Sequence, residues 1–194
     1  MSDLTTTPSP TTSRNPWLRT TARWMVTFIG FPLGGLVAEL VAGPVDSSRA
    51  ALVGGLITGL FVGLAQWWGI GRGGPAVRQW IAATAIALMV GLGVGATAVG
   101  FSTSLRALVI QGAICGLAVG AAQAFVLRAR LGRPALAWPP ALAAIWAIGW
   151  AVTTLFGVQV DQQFTVFGSS GALVVTALAA VLPLMINCRE ESAS

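Results

Sequence analysis

The chain has no histidine and no tyrosine among its 194 residues, and all 11 of its basic residues are arginine, so lysine is absent too. Those gaps remove the commonest general bases, the imidazole metal ligand and the Schiff-base amine, leaving only Asp, Glu, Cys and Ser for chemistry. Of the six acids, Asp3, Glu190 and Glu191 lie at the extreme ends, and no paired-carboxylate or Cys/His arrangement can be drawn. The residues therefore predict no enzyme, no metal and no cofactor. Two cysteines, Cys115 inside an apolar segment and Cys188 at the end of another, lack metal or redox spacing and read as unpaired thiols.

Charge is the other scarcity. Charged residues make up 9% of the chain, where a soluble domain carries about 25%, so the groups needed to coat a water-facing surface are missing. What is present is 55% hydrophobic residues and a mean hydropathy of +0.79. Such a chain belongs in a bilayer. The net charge of +5 does not point to nucleic acid, because the arginines stand singly between apolar segments, where they set orientation.

Residues 1–16, rich in Thr, Ser and Pro, predict a disordered tail. A cleaved signal peptide is the rival reading, and it fails because Arg14, Arg19 and Arg23 precede an apolar run longer than a signal core. Six helices follow, over 24–43, 50–70, 80–101, 107–127, 138–160 and 167–187, with 189–194 as a C-terminal tail. Each is long enough to cross the ~30 Å hydrocarbon core at ~1.5 Å per residue. The arginine count then orients the bundle. Arg14, Arg19, Arg23, Arg72, Arg78, Arg128, Arg130, Arg133 and Arg189 fall on one side, against Arg49 and Arg106 on the other, which places both termini in the cytoplasm of an inner membrane.

The chain also repeats itself. Arg49–Gln66 reads RAALVGGLITGLFVGLAQ and Arg106–Gln123, 57 residues on, reads RALVIQGAICGLAVGAAQ, with 10 of 18 aligned positions identical. In both, glycines recur every fourth residue (Gly55, Gly59, Gly63; Gly112, Gly116, Gly120), forming one stripe of each helix. Glycines at this spacing let two backbones approach and gain dispersion contacts where lipid supplies no hydrophobic push.

Trp24, Trp80 and Trp138 each precede a glycine (Gly35, Gly91, Gly149) by eleven residues, about three turns. That spacing predicts interface anchors at the cytoplasmic edge, with each glycine near mid-bilayer and available for packing. Trp17, Trp67 and Trp68 extend the same aromatic belt. In the sixth helix the small-residue stripe is Ala172, Thr176 and Ala180, followed by Pro183 where the other copies carry Gln66 and Gln123. The predicted fold is an all-α integral membrane protein: six transmembrane helices as three tandem two-helix hairpins (24–70, 80–127, 138–187), parallel repeats with a pseudo-threefold axis and short loops.

Four polar residues inside the spans stand out. Glu39 is an intramembrane acid, expected to pair with Arg49 or Arg106, with a ligand or proton site as the alternative. Gln66 and Gln123 occupy equivalent repeat positions and are expected to hydrogen-bond across helices, with a shared polar site as the sharper alternative. Gln111, with Gln159, Gln162 and Gln163, is placed near the outer face, where it could line a shallow vestibule.

The segment Gly63–Trp67, GLAQW, and its degenerate copy GAAQA at Gly120–Ala124, resemble those of small, uncharacterised multi-pass bacterial membrane proteins built from repeated Gly-rich segments. That resemblance covers the two middle hairpins and implies no activity. The function expected is a non-catalytic accessory or scaffold subunit, with the lipid bilayer and other membrane subunits or a second copy as partners. A small-solute or lipid-binding carrier is the alternative, because six spans in this length are similar to the substrate-binding components of energy-coupling vitamin transporters. A lipid-directed enzyme would have to rest on Glu39, Asp46 and Asp161 alone.

Overall fold

A computed structural model describes residues 16–71, 74–157 and 168–191. Among them every regular element is helical. The first span comprises α1 (Pro16–Val26), a 3-10 turn (Thr27–Ile29) and α2 (Gly30–Ala42). α3 (Ser48–Ile70), α4 (Val77–Ala98) and α5 (Leu105–Leu131) are continuous. A second 3-10 turn (Arg133–Ala137) leads into α6 (Trp138–Leu155), and α7 (Ser169–Leu178) is followed by α8 (Val181–Glu191). Six of the resulting helical stretches are long and apolar enough to cross a membrane, from Trp17–Ala42 to Ser169–Ile186. The chain is a multi-pass membrane protein by that measure.

Local chemistry accounts for the boundaries. Ser47 and Ser104 cap α3 and α5, their side chains accepting from the backbone N–H of Ala50 and Ala107. Helix α1 begins at Pro16 rather than Trp24, because proline suits a first turn whose N–H groups lack partners anyway. The rest of the predicted tail, residues 1–15, lies outside the described residues. Helix α4 stops at Ala98 rather than Phe101. Gly100 and Phe101 take φ of 60° and 57°, and the Phe101 N–H turns back to the Ala96 carbonyl, which closes the helix. Helix α6 ends at Leu155, short of Val160, and α8 carries the chain through Arg189 to Glu191, where a tail had been expected.

Two breaks share a cause. Pro32 lacks the N–H that would bond Phe28, and the 3-10 turn falls at Thr27–Ile29. Pro183 lacks the N–H that would bond Ala179, and the last span breaks between α7 and α8. There the Leu182 N–H reaches Ala179 and the Ala180 N–H reaches Ala177, each three residues back rather than four. The Thr176 carbonyl is thereby left without its intrahelical donor.

Successive helices lie side by side, most extensively α3 on α4 and α5 on α6, and α7 and α8 return against α1. The core runs through Trp24, Phe31, Val62, Trp80, Leu88, Val119, Leu127, Leu142, Trp146 and Val175. Around it Leu36, Leu40, Leu60, Ile86, Val94, Leu117 and Phe125 point outward, as an apolar solvent permits.

Candidate functional site

The described residues bring four helices together at one buried amide. Gln123 of α5 is fully buried, and its Nε2 donates to Gln66 Oε1 at 2.9 Å and to Thr84 Oγ1 at 3.0 Å. Its Oε1 accepts from Trp138 Nε1 at 2.8 Å. The orientation is forced. An indole N–H only donates, so the Gln123 atom facing Trp138 is the oxygen, and the amide nitrogen must face Gln66 and Thr84. Both amide hydrogens and one carbonyl lone pair are taken, which joins α3, α4, α5 and α6 in one network. A buried amide so saturated holds helices together and leaves little for a ligand to bind.

The sequence reading anticipated a cross-helix bond for Gln66 and Gln123, but it missed Thr84 and the role of Trp138. The available signal was Thr84 itself, a hydroxyl within the uncharged apolar run that follows Arg78 on α4. Trp24, Trp80 and Trp138 correct the anchor expectation: they are 1%, 0% and 7% exposed, packed inside the bundle instead of facing headgroups. Trp24 Nε1 donates to the stranded Thr176 carbonyl at 2.8 Å, and Trp80 Nε1 has no hydrogen-bond partner. The indoles that do face outward are Trp17 and Trp68. The Arg23 guanidinium sits 4.8 Å from the centre of the Trp68 ring, a cation–π contact that ties α1 to the end of α3.

The glycines face neighbouring helices of the same chain. A Cβ added at Gly55 would lie 2.8 Å from the Leu88 carbonyl oxygen, at Gly59 2.6 Å from Ala85 Cα, and at Gly63 3.1 Å from Ile81 Cα. On α5, a Cβ at Gly112 would strike Trp150, at Gly116 the Leu142 carbonyl, and at Gly120 would come within 2.7 Å of Pro139 Cα. Gly91 meets Cys115 Cα at 3.0 Å by the same construction, while Gly35 and Gly149 are buried in α2 and α6. Cys115 is buried and free, and the side chain of Cys188 lies outside the described residues.

Glu39 departs from expectation. Its Oε2 is buried without a hydrogen-bond partner, and no ion pair to Arg49 or Arg106 forms. Geometry explains this: Glu39 lies on the stripe of Phe31 and Gly35, turned towards the bundle, while Arg49 and Arg106 are exposed at the starts of α3 and α5. Gln111 is buried against Gly95 of α4, whose added Cβ would lie 3.2 Å from Gln111 Cγ. The other vestibule residues, Gln159, Gln162 and Gln163, lie outside the described residues, as does Asp161. No protein-family profile, curated protein or solved structure matches the chain.

Proposed function

We propose that this chain is a non-catalytic inner-membrane protein with both termini in the cytoplasm, serving as an accessory or scaffold subunit of a larger membrane assembly. The observation that carries this reading is the Gln123 amide. The hydrogen-bonding groups of this buried amide are taken by Gln66, Thr84 and Trp138, which favours cohesion of the chain over ligand binding.

In this reading the six spans are three tandem hairpins packed through GxxxG-type faces. Register supports it: Gly59 approaches Ala85, and Gly116, 57 residues on, approaches Leu142 and Ala143, displaced by 57 and 58 residues. Since both stripes face helices of the same chain, a partner subunit meets the outward apolar surface. The relation to small bacterial proteins with repeated GLAQW-type segments belongs to the same proposal.

The test is native mass spectrometry of the full chain, released gently from its membrane. A stoichiometric complex with another membrane protein or with a second copy is expected. A monomer holding a small solute overturns the reading in favour of a carrier, for which the unpartnered Glu39 oxygen is the specific support.

A further inference from the structure

An elongated groove runs along the outward side of the α3–α4 pair, lined by Ser48, Leu52, Val90, Gly93, Val94 and Thr97, with a volume of about 460 Å³. It is open to the surroundings rather than an enclosed cavity. Gly93 lines it opposite Leu52, whose Cδ2 would lie 2.8 Å from a Cβ added at residue 93. From Thr97 down to Val90 it follows α4 for seven residues, about 10 Å at the helical rise. A single leaflet's hydrocarbon is about half of ~30 Å deep, so the groove runs along most of one leaflet.

Its chemistry is graded along that length. The walls formed by Leu52, Val90 and Val94 are apolar. The rim carries two hydroxyls, Ser48 Oγ and Thr97 Oγ1, 3.5 Å apart. Thr97 Oγ1 donates to the Gly93 carbonyl at 2.7 Å, which leaves its lone pairs facing Ser48 and the rim. Immediately beside the rim is the start of α3. Ser47 Oγ takes the N–H of Ala50 there, and the positive end of the helix dipole is directed outward. Arg49 is exposed one residue on from Ser48 and three before Leu52, which makes it a surface neighbour of the groove wall. Arg49 and Arg106 are the two arginines at this end of the bundle.

The geometry points to a phospholipid site: one acyl chain of a bilayer phospholipid lies between α3 and α4, its ester region at the Ser48 and Thr97 hydroxyls and its phosphate on Arg49. An apolar trough aligned with the spans, a hydroxyl rim and a cation at the mouth match the three zones of that molecule in order. The inference rests on the membrane-spanning reading and is independent of the scaffold role, so either can fail alone.

The test counts phosphatidylglycerol retained by the full chain after reconstitution in phosphatidylglycerol vesicles and gentle detergent release, read by native mass spectrometry. Val94→Trp fills the groove from an exposed position and should lose one lipid per chain. Leu173→Trp, equally outward on α7, should lose none. Arg49→Gln should weaken the affinity about fivefold, read from a titration of retained lipid, the effect of one basic residue near a phosphate surface. Equal retention by Val94→Trp and the unaltered chain, or equal losses in Val94→Trp and Leu173→Trp, overturns the site. Unchanged affinity in Arg49→Gln overturns the phosphate contact.

Discussion

Two seams of this bundle are closed by different physics. Between α5 and α6, Gly112, Gly116 and Gly120 bring the backbones so close that an added methyl would meet Trp150, Leu142 or Pro139. Between α7 and α1 the corresponding small residues are Ala172 and Thr176, and closure comes from the Trp24 indole donating to the Thr176 carbonyl. The glycine seam relies on many weak dispersion contacts, each demanding an absent side chain. The other relies on one directional bond, and Pro183 makes its acceptor available by diverting the Ala180 N–H to Ala177. A span whose stripe carries Ala172 and Thr176 where the others carry glycine can thus still be fastened if its helix is broken at the right carbonyl.

The strongest way to break the comparison is to fill the glycine seam. Gly116→Leu, and likewise Gly59→Leu in the α3–α4 seam, should each destabilise by about 3 kcal/mol, because the obstructing atoms are backbone and cannot rotate away. Reversible unfolding in mixed detergent measures this. A loss as small as that of an outward Leu117→Ala control would mean that the helices are not held at glycine distance.

Next in size is Gln123→Leu, which strands Gln66, Thr84 and Trp138 together and should lose about 2 kcal/mol. Gln66→Leu removes one bond and should lose roughly 1 kcal/mol. Equal losses for the two would refute the central place of Gln123.

At the other seam, Trp24→Phe keeps the ring but removes the donor, with an expected loss of about 1 kcal/mol. Trp80→Phe, which removes an N–H that has no partner, should fall within about 0.5 kcal/mol of neutral or stabilise. The finest test is a double-mutant cycle. Pro183→Ala returns the Ala180 N–H to Thr176, so the Trp24→Phe penalty should shrink by about 0.5 kcal/mol in that background. An unchanged penalty would show that the proline break and the indole bond are unconnected.

Much of this was legible beforehand, for identifiable reasons. Glycine spacing on α3 and α5 announces close approach, because a missing side chain has a fixed place on a helix of known pitch. Gln66 and Gln123 announce hydrogen bonds, because an amide in hydrocarbon must find a partner. The three tryptophans misled because an indole suits both a headgroup interface and a core containing acceptors, and spacing alone does not choose between them. Glu39 misled for a similar reason. Arg49 and Arg106, placed at the same end of the bundle, suggested a pair, but both are exposed while a Glu39 oxygen is buried without a partner.

Composition and period by themselves determined that the chain forms six helices long and apolar enough to cross a membrane, and where small residues stripe them, since both depend only on hydropathy and helical pitch. Which helix each stripe would meet, which indole would find an acceptor and which carboxylate would find none were decided only by the tertiary structure. Those outcomes depend on the relative rotation and depth of neighbouring helices, and rotation and depth are settled by all the contacts acting together.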